Sequence, residues 1–381
     1  MTKYFLPFLL MGALTMLGGE SPKATVIFHS VINDTIPDAG AANSLAKCPN
    51  GDLIATFSDK GDIDVGCASY LVRSKDEGRT WSAPERMFLP AKDTEAVSAI
   101  LNNLPDGRVL VTVERLFYKT NQGRAQTKSF SHFSNRTSRL ELLVSTDPAA
   151  RFFEPCGILP SPADALSTVT GNLLQLDNGD LLLPGYVLHP GGRYQIGKDG
   201  SGFWRSRDQG KSWEAFQIAV RDEPPEGEKP FYFNEICLFQ KQDGTVVALS
   251  RHDSRPVRCL YRAESKDHGK TWSKAMPTTL QLCLPSVIRR PDGSFLLLGG
   301  NRSSRRNINL FWSKEGDEWM QIGEVYCSRG INGRNPNTAI GGYQRMVALP
   351  NNRILVSFYG FDATLKGFQQ LYADSNIWEI R

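Results

Sequence analysis

Metal-ligand spacings, phosphate-binding glycine loops and any apolar run long enough for a comfortable membrane span are missing from this 381-residue sequence. Five histidines are scattered along the chain, and none stands at a spacing that would hold a metal ion. No Gly-x-Ser-x-Gly elbow and no Gly-rich phosphate loop occurs, which leaves out the commonest hydrolase and nucleotide-binding signatures. Seven cysteines (Cys48, Cys67, Cys156, Cys237, Cys259, Cys283, Cys327) are an odd number, and no two form a Cys-x-x-Cys unit. They do not make a disulfide scaffold, although one or two bridges would still fit. Several sit in apolar, strand-like runs such as Ile236-Cys-Leu-Phe239, where a free thiol behaves as a small hydrophobe. Neither charge is in large excess. The net +4 gives no reason to invoke nucleic acid or an acidic membrane as partner. No long amphipathic helical pattern appears, so a βαβ fold is not expected.

The one apolar run, Tyr4 to Leu17, follows Lys3, is interrupted by Pro7 and gives way to Gly18 and Gly19. It is short for a membrane span, and residues 1–23 read as a secretory signal peptide, with an uncleaved anchor as the alternative. No cysteine ends the run, which argues against a lipid anchor. The expectation is a secreted or periplasmic mature chain, residues 24–381, with no membrane span after signal cleavage.

What the chain has is repetition. Ser-x-Asp-x-Gly-x-(Thr/Ser)-Trp occurs three times, as Ser74-Lys-Asp-Glu-Gly-Arg-Thr-Trp81, Ser206-Arg-Asp-Gln-Gly-Lys-Ser-Trp213 and Ser265-Lys-Asp-His-Gly-Lys-Thr-Trp272. Asp and Ser side chains bond nearby backbone groups, Gly supplies a positive φ, and Trp packs beneath the turn. Weaker copies begin at Ser145-Thr-Asp-Pro and Ser313-Lys-Glu-Gly-Asp-Glu-Trp319. A second repeat counts the modules. Six tight turns, at Asn50-Gly51, Asp106-Gly107, Asn178-Gly179, Asp243-Gly244, Asp292-Gly293 and Asn351-Asn352, each precede an apolar strand. Such turns between apolar runs are the strongest short-range hairpin signal. The steps between them are 56, 72, 65, 49 and 59 residues, and the strong boxes follow their turns by 23, 27 and 21 residues.

Each module therefore holds two hairpins, four strands in all. Six modules predict an all-β, six-bladed β-propeller with four-stranded antiparallel blades, as a single domain. The last module runs short of strands before Arg381, and Ala24-Thr-Val-Ile-Phe-His29 is placed to complete it and close the ring. Long polar or Gly/Pro-rich stretches at 117–138, 186–203, 222–232 and 328–342 would rim the central channel.

Asp boxes repeated on a six-bladed pattern resemble the sialidase (neuraminidase) superfamily over essentially the whole mature chain. The boxes themselves are turns away from the active site, so the discriminating residues lie elsewhere. Asn234-Glu235-Ile-Cys-Leu-Phe-Gln-Lys-Gln-Asp-Gly-Thr-Val-Val-Ala-Leu-Ser-Arg251 is similar to the sialidase segment that carries a base and a carboxylate-binding Arg. The resemblance gives Glu235 and Arg251 those roles; a surface ion pair is the plainer reading. Arg305-Arg-Asn-Ile-Asn-Leu resembles the strand with a second carboxylate-binding Arg, here Arg305, against a solvated basic run. Gly341-Gly-Tyr343-Gln-Arg is similar to the strand of the nucleophilic Tyr, which implies that role for Tyr343, against simple packing. The acid/base falls in Ser58-Asp59-Lys-Gly-Asp62-Ile-Asp64, where Asp62 and then Asp59 are the candidates, against a solvated acidic turn.

The chemistry fits these residue types. A sugar bearing a carboxylate on its anomeric carbon repels an anionic nucleophile, and sialidases with a Tyr nucleophile depart from the usual two-carboxylate scheme. A phenol with a pKa of about 10 needs a neighbouring base, and guanidiniums hold a carboxylate through paired hydrogen bonds. One member of the family pattern is absent: the first Arg of the carboxylate clamp falls at Ala41. The resemblance implies a glycan or glycoconjugate substrate, a retaining Tyr/Glu glycosidase, no cofactor or metal, and a monomer. Two alternatives stay open: a lyase or hydrolase acting on another uronate-containing glycan, and a non-catalytic glycan-binding propeller.

Overall fold

The structure is a computed structural model, and it describes residues 22–33, 35–36, 44–60, 64–121, 124–125, 136–189, 195, 197–221, 233–252, 259–301, 307–327, 342–362 and 370–381. Six antiparallel sheets follow one another around a central channel, as the turn spacing predicts. Blade 1 runs from its innermost strand outward through Ser44–Lys47, Leu53–Ser58, Ser69–Ser74 and Glu85–Phe88. Blade 2 is Glu95–Asn103, Val109–Tyr118, Arg136–Ser145 and Phe153–Ile158. Blade 4 is Phe233–Gln240, Val246–His252, Leu260–Ser265 and Met276–Pro277; blade 5 is Cys283–Arg289, Phe295–Gly300, Asn307–Ser313 and Met320–Cys327.

Blade 3 departs from the simple pattern. Its innermost strand is split into Leu166–Val169 and Leu174–Gln175, both paired with Leu181–Leu188, and Gly200–Ser206 and Gln217–Val220 complete the sheet. The split falls opposite Pro184, and the inner strand gains two residues across it. The Pro184 carbonyl accepts from the N–H of Thr170. The matching donor on that side is missing because proline has none, so one ladder bond is lost there.

Blade 6 closes the ring. Its own strands are Gly342–Leu349, Arg353–Asp362 and Gln370–Ile380, and the outermost strand is Ala24–Asn33 from the other end of the chain. The register runs from Ala24 opposite Ile380 to Asn33 opposite Ala373. Side chains reinforce it: His29 Nε2 lies 2.6 Å from Asp374 Oδ2, and Ser30 Oγ lies 2.8 Å from Ser375 Oγ.

Alternating strands present apolar side chains to both faces of each inner sheet, so each gap between blades holds its own cluster, and a seventh, around Cys67, Leu116 and Leu166, spans blades 1 to 3. Leu45, Phe57, Leu355 and Ile377 fill the gap between blades 6 and 1. Leu110, Leu142, Leu183 and Trp204 fill that between blades 2 and 3. The six described cysteines with visible side chains (Cys48, Cys67, Cys156, Cys237, Cys259, Cys283) are free, so the bridges allowed by the sequence do not form among them. Burial pushes the Cys67 thiol up to about 12, which keeps it inert.

The Asp boxes cap the outer hairpins of blades 1, 3 and 4 with one hydrogen-bond pattern. In blade 1 the Gly78 N–H donates to Ser74 Oγ at 2.8 Å, and Asp76 accepts from the Thr80 N–H and hydroxyl at 2.9 and 2.6 Å. Ser206, Asp208 and Ser212 repeat it, as do Ser265, Asp267 and Thr271. Bonds from Ser212 hold the Asp208 carboxyl down to about 2. Guanidiniums then stitch the outer turns of blades 2, 4 and 5 to the preceding blade. Arg73 donates to the carbonyls of Ala149 and Ala150, Arg205 to that of His268, and Arg262 to that of Gly316, at 2.6 to 2.8 Å.

The box glycines meet two demands at once. Gly316 has φ +84°, and a Cβ there would stand 2.5 Å from the ring of Phe239 in the neighbouring blade. Gly51, in the first hairpin turn, has φ +93° but open space around it. Gly51→Ala is therefore expected to cost about 1 kcal/mol, the backbone share alone, and Gly316→Ala about 2–4 kcal/mol. Denaturant midpoints of the two variants measure the difference, and equal losses would contradict the close-packing argument.

Candidate active site

The tight turns and Asp boxes share one end of the propeller, because both join strands that run toward it. The opposite rim carries the starts of the innermost strands, the ends of the second strands and the loops between second and third strands. Glu235, Arg251, Tyr343 and Asp59 all belong to this rim.

Three consecutive blades begin their innermost strand with the same irregularity. In blade 4 Phe233 pairs with His252 but Ile236 pairs with Ser250, so Asn234 and Glu235 together face Arg251. In blade 5 Cys283 pairs with Gly300 and Ser286 with Leu298, which leaves Leu284 and Pro285 opposite Gly299. In blade 6 Gly342 pairs with Tyr359 and Arg345 with Ser357, which leaves Tyr343 and Gln344 opposite Phe358. A two-against-one bulge bends the strand and re-aims a side chain. Here it recurs at one level of the rim in blades 4, 5 and 6.

The blade 4 bulge delivers Glu235 to a buried position, 7% exposed. Oε1 accepts from Arg251 Nη1 at 2.7 Å, and Oε2 accepts from the backbone N–H of Leu284 at 2.8 Å. Two accepted bonds leave lone pairs on the carboxylate for a further donor. Leu284 reaches it in a left-handed conformation, φ +48°, that a bulky residue adopts only under constraint. The Asn234 carbonyl is fixed by the hydroxyls of Ser201 and Ser250 at 2.6 and 2.9 Å. Beneath the bulges, Arg345 of blade 6 is buried and donates to the Thr170 carbonyl of blade 3, on the far side of the channel. The hydroxyl of Thr170 is bonded in turn to the backbone of Ile236, next to Glu235.

The structure thus brings Glu235 and Arg251 to one rim, as their spacing across one hairpin leads one to expect, and pairs them as ions, with Glu235 buried rather than at the surface. Tyr343 lies in the blade 6 bulge by its backbone, and its side chain lies outside the described residues. Asp62, Arg305 and Ala41 also lie outside them. Asp59 is described, and its carboxylate is engaged within its own loop, accepting the Ala68 N–H at 2.8 Å and the Tyr70 hydroxyl at 3.4 Å. Leu284, Gln344 and Arg345 escaped sequence reasoning, since nothing in their local pattern announces a bulge or a bond across the channel.

The other half of the rim holds further buried ionisable groups that sequence reasoning also missed. Glu114 interrupts the apolar run Val109 to Val113, a signal that was available. It is 2% exposed, between the innermost strands of blades 2 and 3, and accepts hydroxyls from Thr168 at 2.8 Å and Ser98 at 3.3 Å. Burial pushes its carboxyl up to about 7, against the lowering effect of Thr168, Arg136 and Ser98. His189 follows the second strand of blade 3, with Nδ1 2.8 Å from Oδ1 of the fully buried Asp199. Among the described residues no cluster of His, Cys, Asp and Glu would hold a metal ion, and no helix is long and apolar enough to cross a membrane. A cavity of about 430 Å³ opens the channel at the Asp-box end, lined in part by Lys47, Asn103 and Arg289, away from this rim.

Six four-stranded blades, with Asp boxes capping outer hairpins, define a repeat-built six-bladed β-propeller. A family model described as a BNR repeat-like domain matches residues 114–329, more than half of the chain, and the chain belongs to that family. A comparison with curated proteins finds no match. Among solved structures, a protein of unknown function from Dyadobacter fermentans is similar, with TM-score 0.72 and 21% identity over 94% of this chain and 100% of that one. The NanB sialidase of Streptococcus pneumoniae has TM-score 0.62 and 14% identity, over 93% of this chain and 70% of that one. An α-L-arabinanase of Penicillium chrysogenum, complexed with arabinobiose, has TM-score 0.54 and 16% identity over 93% and 97%. At such identities the likeness is one of fold.

Glu114 makes stability depend on pH with a definite sign. A carboxyl whose folded value is raised from 4.5 to about 7 contributes stability that is complete below the unfolded value and lost as pH rises through the folded one. Glu114→Gln keeps the acceptor and removes the charge. It is expected to stabilise the fold by up to about 3 kcal/mol at pH 8, with the gain vanishing below about pH 4.5. Denaturant titrations at pH 4.5, 6 and 8 check this, and a pH-independent effect would contradict it.

Proposed function

We propose that this protein is an exported glycoside hydrolase that removes a terminal acidic sugar, sialic acid or a close relative, from glycans by a retaining mechanism. The observation that carries the reading is Glu235, held by Arg251 and the Leu284 amide in the first of three rim bulges, with Tyr343 in the third. The NanB sialidase and this chain share the fold, which supports the same reading.

In this scheme Glu235 takes the phenolic proton of Tyr343 as its oxygen attacks the anomeric carbon. The acid in the 59–64 loop protonates the leaving glycosidic oxygen. Water, deprotonated by the same loop carboxylate, then displaces the tyrosine, whose oxygen recovers its proton from Glu235. Asp62 takes precedence over Asp59 as acid, because the carboxylate of Asp59 is already engaged by Ala68 and Tyr70. Arg251 and Arg305 hold the substrate carboxylate. Residues 1–23 serve as the export signal and are removed, and the mature chain acts as a monomer with no cofactor.

Two features favour a second reading, a lyase or hydrolase acting on another uronate-containing glycan. Ala41 supplies no third guanidinium, and an arabinanase has the same fold. Losing one charge-assisted bond to the substrate carboxylate costs about 1.5–3 kcal/mol, or roughly ten- to a hundred-fold in affinity.

A fluorogenic sialoside assay tests the proposal. The wild type is expected to turn over and Tyr343→Phe to lose activity by about a thousand-fold or more. Release of product from a uronate oligosaccharide, with none from sialosides, would shift the assignment to the second reading. Binding of sialic acid without turnover would make the protein a glycan-binding propeller. Ala41→Arg is expected to lower KM for sialosides by about ten-fold if the pocket accepts a carboxylate at that point. An unchanged or raised KM would mean that the pocket is shaped for another group.

A further inference from the structure

The three bulges are connected by hydrogen bonds in order around the rim. Glu235 in blade 4 is held by the N–H of Leu284 in blade 5. The carbonyls of Leu284 and its neighbour Cys283 are held in turn by the side-chain amide of Gln344 in blade 6, at 2.5 and 3.1 Å. Gln344 is fully buried, so its amide group has no competing water. Its Oε1 is buried without a partner among the described residues, facing Gly300 at the edge of the blade 5 sheet. The side chain is therefore spent on one task, donating both amide hydrogens to two successive carbonyls of the next blade.

Leu284 needs such support. A left-handed Leu is disfavoured by the contact of its Cβ with the backbone, and it persists only where the surroundings over-determine it. With Leu284 in the extended conformation of its strand neighbours, its N–H would turn away from Glu235. The carboxylate would then keep Arg251 as its described donor and lose the bond that fixes its second oxygen. Gln344 stands immediately after Tyr343, so the contact that orients Glu235 also anchors the strand carrying Tyr343 to blade 5.

We propose that Gln344 is a positioning residue, which clamps the Cys283 and Leu284 carbonyls so that left-handed Leu284 presents its N–H to Glu235. The inference rests on the reading of Glu235 as the base only for its effect on turnover; the clamp itself is independent of that reading.

The test uses Gln344→Met, which keeps the shape and removes both donors, and Gln344→Met combined with Leu284→Gly. Glycine adopts the left-handed region without cost, so it no longer needs the clamp. Backbone amide exchange at residue 284 reads the clamp directly, and kcat and KM on a fluorogenic sialoside read its consequence. In Gln344→Met, exchange at residue 284 is expected to rise about ten-fold or more, and kcat to fall about ten- to a hundred-fold with KM within about three-fold. The double variant is expected to recover most of the exchange protection and at least about ten-fold in kcat. Wild-type protection at residue 284 in Gln344→Met overturns the proposal. So does a double variant that recovers nothing, since the loss would then be one of general packing. Gln344→Glu, equal in size but aiming an acceptor at two carbonyls, should show at least as large a loss, and it replaces the Met variant if that does not fold. A wild type inert on sialosides would refute the sialidase reading alone, because the exchange experiment still decides the role of Gln344.

Discussion

Pairing of the two ends of the chain is the constraint on which the rest of this structure depends. Each blade buries its apolar faces only against its neighbours, so a ring with one open gap would expose two of those faces to water. The strand Ala24–Asn33 closes that gap by completing the sheet begun by Gly342–Leu349. The site depends on the same closure, because Glu235, Leu284 and Gln344 stand on three blades and bond only while those blades keep their spacing. Arg345 adds a tie across the diameter, from blade 6 to the Thr170 carbonyl of blade 3.

Within the closed ring, regular and irregular backbone have separate duties. The regular ladders supply the core and the hairpin ends. The irregular turns at the rim, two residues against one, supply the site. The hairpin register already sets Glu235 opposite Arg251 of its own sheet. At the bulge the same carboxylate also receives an amide from the next blade. The carboxylate is thereby oriented by one charged and one neutral donor, each fixing one of its two oxygens.

The scaffold was largely legible in the sequence because its signals are local. Turns such as Asn50-Gly51 and the Ser-x-Asp-x-Gly-x-Thr-Trp boxes each encode a conformation within a few residues, and their spacing counts the blades. The placement of Glu235 and Arg251 at one rim was legible for the same reason: the hairpin between them fixes the register. Leu284 and Gln344 were not legible. A left-handed leucine and a glutamine bonded to the neighbouring blade arise from packing between segments about 60 residues apart, and no residue type announces them. Glu114 stood in between, visible as a charge inside an apolar strand but without a role that sequence alone assigns. In the broken inner strand of blade 3, Pro184 removes one ladder bond because its ring nitrogen faces that strand, and the two residues gained there add to the break.

The arginine stitches of the Asp-box face have a consequence for how such a chain tolerates change. Arg73 and Arg262 reach blades 2 and 5, whose boxes are the degenerate ones, and in both cases the acceptor includes a backbone carbonyl: Ala149 and Ala150, or Gly316. A main-chain oxygen survives any substitution that keeps the turn. The Ser, Asp and Trp of a box are thus free to drift in a given blade while the seam to its neighbour stays sewn. Sequence decay of the repeat and mechanical integrity of the ring are, on this face, uncoupled.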